Sequence, residues 1–159
     1  SVKNRIGGFM QHRKPLGYKP NSVTEYLMVY RKSTEKLLDW NIKQYDWNTI
    51  LESKVADGYE TTNVWKIDPC FDKVHSAVFP VELCKRVIQY YSYKDDLVFD
   101  PFGGSGTMGK TAKKLGRHFL LTEKDETYFE YMQSKKSKDM FDNFETKFLT
   151  LDKFKETIK

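Results

Sequence analysis

The sequence holds 159 residues, 27 of them Lys or Arg against 22 Asp or Glu, for a net charge of +5. That length suits one domain with a core of its own, and the 15% aromatic content excludes a disordered chain. No run of 18 apolar residues occurs, which excludes a transmembrane helix, and no charged-then-apolar leader opens the chain. Cys70 and Cys84 are too few for a disulfide scaffold, and with three histidines they make no four-ligand zinc site. Free thiols fit a reducing, cytoplasmic setting.

In chain order, the first twenty residues are rich in Gly, Lys, Arg and Pro and read as loop around a short Phe9–Arg13 segment. Thr24–Lys32 is rich in Tyr, Val, Leu and Met without helical spacing and reads as a strand. Residues 33–64 are polar with scattered aromatics and suggest no firm element. Pro80 is placed to open a helix with Leu83, Val87, Ile88 and Tyr91 on one face. Leu97-Val98-Phe99 reads as a buried strand, followed by a glycine cluster from Gly103 to Gly109. Met108, Thr111, Ala112 and Leu115 carry helical spacing, with Gly116 as the stop. Phe119-Leu120-Leu121 is a second strand, and Asp125 caps a helix holding Tyr128, Tyr131 and Met132. Phe148–Leu151 reads as one more strand in a Lys-rich tail. Helix, strand, glycine loop, helix, strand and helix in this order begin a parallel α/β sheet.

The loop Asp100-Pro101-Phe102-Gly103-Gly104-Ser105-Gly106-Thr107-Met108-Gly109-Lys110-Thr111 admits three readings. Gly104-x4-Gly109-Lys110-Thr111 matches the P-loop pattern, with Lys110 for phosphates and Thr111 for Mg²⁺. Such a domain needs more strands and a metal-holding acid than the 48 residues after Thr111 provide. Gly104-x-Gly106-x-x-Gly109, with Glu123 beyond it to hold ribose hydroxyls, is also a dinucleotide fingerprint. The same geometry serves any nucleoside-like ligand.

The third reading is longer. Asp100-Pro101-Phe102-Gly103-Gly104-Ser105-Gly106-Thr107 resembles the cofactor-binding motif of the bacterial DNA amino-methyltransferases of restriction–modification systems. His75–Leu83, with Trp65-Lys66-Ile67 ahead of it, is similar to the segment that precedes the glycine strand in that family. Leu121–Asp125 followed by Tyr128 is similar to its second strand and acidic turn, and Thr24–Lys32 to a late strand of its catalytic half.

The resemblance implies a partial Rossmann-like S-adenosylmethionine-dependent methyltransferase fold, α/β, mostly parallel with flanking helices. It divides the chain into the end of a catalytic half (1–32), a short recognition insert or linker (33–64), a cofactor core (65–136) and a basic tail (137–159). It implies that Phe79, Pro80, Asp100, Phe102, Gly103, Gly104, Ser105, Gly106, Thr107, Glu123 and Lys124 surround the cofactor. In physical terms, the glycines admit close backbone approach, the following helix N-terminus suits a carboxylate, and Ser105 and Thr107 add hydroxyls. Glu123 takes ribose hydroxyls, Phe79 and Phe102 form an apolar wall, and Lys124 lies beside the adenine ring.

The resemblance further implies transfer of a methyl group to adenine N6, or cytosine N4, of a base flipped out of double-stranded DNA. That chemistry needs Asp, Asn or Ser, then Pro-Pro, then an aromatic. The five prolines include no adjacent pair, and Asp68-Pro69-Cys70-Phe71 is the nearest imitation. No catalytic residue is therefore expected on this chain, which begins at Ser1. The expectation is a fragment of a longer enzyme or one half of a split one. Leu97–Asp100 then offers an unpaired edge, to be covered by a complementary chain or by a homo-oligomer. Arg13, Lys14, Tyr18, Lys19, Lys135, Lys136 and Lys138 are candidates for a DNA-facing surface. The alternatives are a catalytically dead interaction module and a P-loop nucleotide hydrolase.

Overall fold

Strand, helix and strand follow one another from Leu97 to Leu121 in a computed structural model, which describes residues 24–31, 44–55, 58–72, 78–136 and 146–158. The first helix of the described chain, α1 (Trp47–Glu52), is capped by Asp46, whose carboxylate accepts the N–H groups of Asn48 and Thr49. A second helix, α2, spans Val81–Tyr91. Then come β1 (Leu97–Asp100), α3 (Thr107–Lys114), β2 (His118–Leu121), α4 (Glu126–Lys136) and α5 (Leu151–Thr157). The two strands pair in parallel, with Leu97 opposite His118 and Asp100 opposite Leu121. The fold class is thus α/β, a small parallel sheet with flanking helices.

Helix α3 starts where Gly106 takes φ +75° and stops in a Schellman turn. There Gly116 (φ +72°) donates to the Lys113 carbonyl at 3.0 Å, and Arg117 donates to that of Ala112 at 2.9 Å. The Arg117 side chain is buried and spends its donors on carbonyl groups at two helix ends. It donates to the Leu115 carbonyl at 2.6 Å, the Ser92 carbonyl at 2.8 Å and the Ser92 hydroxyl at 3.2 Å. Burial pulls its pKa down from the usual guanidinium range, opposed by the nearby Asp96 and Asp95 carboxylates. The apolar core of the described residues is small: Cys84 and Ile88 of α2, Ala112 of α3 and Met132 of α4.

Several expectations change. The buried stripe of α2 is Cys84 and Ile88, whereas Tyr91 is exposed. Val87, Ile88 and Tyr91 line an open cavity beside β1, because no described strand covers that side. Residues 24–31 form no strand. They are exposed, with Tyr26 at 90%, since a strand needs a partner and none of the described residues supplies one. Phe148–Leu151 is not a strand either: Thr150 caps α5 by accepting the Lys153 N–H. Phe9–Arg13, Arg13, Lys14, Tyr18, Lys19, His75 and Lys138 lie outside the described residues, and the side chains of Lys135 and Lys136 are not described. Among the described residues, no helix is long and apolar enough to cross a membrane.

Candidate functional site: the glycine loop between β1 and α3

At the end of β1, the Asp100 carboxylate accepts the Phe102 N–H at 2.9 Å, which turns the chain back on itself. Three bonds from Thr122 staple that turn to the end of β2. The Thr122 carbonyl accepts the Gly103 N–H at 2.8 Å, its N–H donates to the Asp100 carbonyl at 3.0 Å, and its hydroxyl donates to the Pro101 carbonyl at 2.8 Å. Space is tight at Gly103, because a Cβ there would lie 3.1 Å from the Leu121 Cβ and 3.3 Å from the Thr122 carbonyl oxygen. Glycine is required at Gly106 for conformation, because φ is +75°. The loop from Gly103 to Gly106 is buried.

Glu123 closes the loop. One carboxylate oxygen accepts the Gly104 N–H at 2.7 Å and the other accepts the Asp125 N–H at 2.8 Å. A carboxylate offers about four lone-pair sites, so two remain for hydroxyl donors. Three predicted residues, Gly103, Gly104 and Glu123, therefore meet. The hydroxyls of Ser105 and Thr107 bond each other at 2.9 Å, which uses the hydrogen of one of them, and Ser105 is buried.

Phe79 and Asp100 meet elsewhere, in a cavity of about 300 Å³ along the uncovered side of β1 that Met108 and Phe99 also line. Pro80 is buried and sits at the N-cap of α2, so it positions Phe79 and offers no face of its own. Phe102, 84% exposed, and Lys124, also exposed, line no part of that cavity. The site thus has a polar part, the loop with Glu123, and an apolar part, the cavity with Phe79. Asp100 belongs to both. Sequence reasoning missed the Thr122 staple, Met108 in the cavity, and Met132, whose sulfur would lie 3.2 Å from a Cβ at Gly106. A threonine next to the strand-end acid was the visible signal for the first. The other two carry no local signature.

Two further groups are chemically quiet. Thr111 is 4% exposed and its hydroxyl donates to the Thr107 carbonyl at 2.8 Å, so it faces its own helix. With α3 already begun at Thr107, Lys110 and Thr111 are helix-interior positions. No carboxylate, His or Cys cluster suited to a metal occurs among the described residues. The P-loop match is a coincidence of spacing. Burial, with Asp100 and Cys70 nearby, pushes the Cys84 thiol up to about 12, so it stays neutral.

A glycine loop after a parallel strand, bonded to an acid that follows the next strand, is the centre of this α/β site. A family model described as DNA methylase, of the N6/N4 type, matches residues 2–136, and the chain belongs to that family. It is 32% identical over 112 residues to the type II methyltransferase M.Cfr9I of Citrobacter freundii, a match covering 69% of this chain and 35% of that protein. It is 31% identical over 111 residues to the type II methyltransferase M2.DpnII of Streptococcus pneumoniae, covering 66% and 39%. The chain thus spans well under half the length of these curated relatives. Among solved structures, the M1.HpyAVI–SAM complex is 28% identical over 48% of this chain and 41% of that one, with a TM-score of 0.39. TTHA0409 of Thermus thermophilus, complexed with S-adenosyl-L-methionine, is 23% identical over 79% and 48%, also at 0.39.

Proposed function

We propose that this chain supplies the S-adenosylmethionine site of a restriction–modification DNA methyltransferase acting on adenine N6 or cytosine N4 of double-stranded DNA. One observation carries the reading. Glu123, at the end of β2, reaches the Gly104 N–H at the mouth of the glycine loop. An acid so placed suits a ribose diol, and the N-terminus of α3 behind the loop suits a carboxylate. S-adenosylmethionine carries both groups and supplies an electrophilic methyl. In this reading Gly103, Gly104 and Gly106 hold the amino-acid part, Glu123 the ribose, and Phe79, Phe102 and Lys124 the adenine surroundings, while Asp100, Ser105 and Thr107 fix the loop. Residues 65–136 form the cofactor core and 33–64 a short recognition insert or linker.

The absence of a Pro-Pro pair from the sequence supports a division of labour. A complementary chain, or an N-terminal half of the same enzyme, bearing Asp-Pro-Pro-Tyr brings the base-binding groups and lays its strand along β1, whose second edge is unpaired among the described residues. Without it the chain transfers no methyl group.

Isothermal titration tests the donor site. Micromolar S-adenosylmethionine binding, about −8 kcal/mol, is expected for the wild type, with no heat from ATP–Mg²⁺ or NAD. Glu123→Ala and Gly104→Val lose it. Normal binding by both variants overturns the site. A complementary chain that docks without restoring DNA methylation favours the other reading, an interaction module built on the same open edge.

A further inference from the structure

Residues 44–55 make none of the hydrogen bonds of the glycine loop, yet they grip the turn that launches its strand. The Tyr45 hydroxyl donates to Asp96 Oδ1 at 2.8 Å, and its ring stacks on Tyr93 with centroids 4.1 Å apart. The Ser53 hydroxyl donates to the Thr49 carbonyl at 2.6 Å and accepts the Lys94 N–H at 2.8 Å. The Lys94 ammonium pairs with Glu52. These partners lie 41 to 51 residues away in sequence.

The gripped turn is strained. Asp95 takes φ +66°, the only positive φ at a non-glycine among the described residues. Three consecutive N–H groups hold it there: Tyr93 to Asp96 Oδ2, Lys94 to Ser53, and Asp95 to the Gly116 carbonyl, each at 2.8 Å. Asp96 is the pivot. Its carboxylate receives Tyr45 and Tyr93, and its carbonyl accepts the His118 N–H at 2.9 Å, immediately before Leu97 pairs with His118. Seven residues on, just past the end of β1, Gly103 bonds Thr122 and then Gly104 bonds Glu123. The four-residue strand between the turn and the loop is about 13 Å long.

We infer that Tyr45 and Ser53 are positioning residues for the cofactor loop: by fixing the entry turn of β1 they fix the register that sets Gly104 against Glu123. The inference rests on the cofactor reading above. It also means that the segment ahead of the cofactor core is tied mechanically to the donor site.

The test uses the full chain carrying Tyr45→Phe, which keeps the ring stack and removes one hydrogen bond, or Ser53→Ala, with Ser53→Thr as the rescue. Amide hydrogen exchange in the ligand-free protein reads the loop directly. Protection of the Gly103 and Gly104 amides should fall roughly threefold to tenfold, about the worth of one such hydrogen bond. The Phe129 amide of α4, bonded to the Asp125 carbonyl, serves as the unaffected reference. The dissociation constant for S-adenosylmethionine, measured well below each melting temperature, should rise by a similar factor, and Ser53→Thr should restore both. A lower melting temperature with unchanged loop protection and unchanged affinity would overturn the inference and leave a purely structural strap. If the wild type binds no S-adenosylmethionine, the cofactor reading fails by itself, and the exchange data still decide whether the turn governs the loop.

Discussion

The N–H of Gly104 and the carboxylate of Glu123, 19 residues apart, meet at 2.7 Å. The loop is thereby closed by its own acid. Gly104 is buried, so removing the acceptor strands a backbone donor. Glu123→Ala should cost about 1–3 kcal/mol of stability. Urea unfolding of the ligand-free variant measures it, and an unchanged midpoint would mean that water replaces the carboxylate without loss.

Gly109 sets two opposed effects against each other. Alanine in the middle of a helix gains about 1 kcal/mol over glycine. A Cβ there would lie 2.8 Å from the Leu121 Cδ1 and 2.9 Å from the Phe119 Cδ2. Overpacking of that kind costs about 1–3 kcal/mol and wins. Gly109→Ala should lower the thermal midpoint, and Gly109→Val should lower it further, because branching adds a second clash. A stabilised Gly109→Ala would show that α3 is free to lift from β2.

The open side of the sheet should make the isolated chain associate with itself. Leu97 and Phe99 of β1 are 64% and 55% exposed beside a ladder edge that is unpaired among the described residues, and Leu27, Met28 and Val29 are exposed as well. Light scattering after gel filtration should show a mass that grows with concentration. Phe99→Lys should shift it toward the monomer. A wild-type monomer at every concentration would mean that the edge is covered from within.

Cys84 gives the stability a basic limit. Its folded pKa is raised to about 12 from an ordinary value of 9.0, chiefly by burial. The folded state keeps the proton that the unfolded state releases, so stability is unaffected below pH 9 and falls as pH rises from there toward 12. Cys84→Ala should flatten this part of the profile in denaturant titrations at rising pH. A thiol reagent should modify Cys84 only on unfolding.

What was legible in the sequence is what is decided locally. β1, α3 and β2 follow from short apolar runs, glycines and helical spacing, and the position of Glu123 beside the glycine loop follows from its place after a strand end. Thr24–Lys32 misled because β-propensity describes how a segment fits a sheet, and no described strand is there to receive residues 24–31. Phe148–Leu151 misled because the apolar run hid Thr150 as a cap, although Leu151, Phe154 and Ile158 already carry helical spacing. The grip of Tyr45 on Asp96 was invisible, since two side chains 51 residues apart leave no periodic trace.

Arg117 gives the fold an electrical direction. Both α2 and α3 end at its guanidinium, through Ser92 and Leu115, so one buried cation sits where two helix dipoles are negative. The opposite ends of the same helices, at Val81 and Thr107, carry the matching partial positive charge. Thr107 opens α3 directly behind the glycine loop. The Glu123 carboxylate stands at that end, on the Gly104 N–H, so each end of α3 faces a charge of the sign opposite to its own pole.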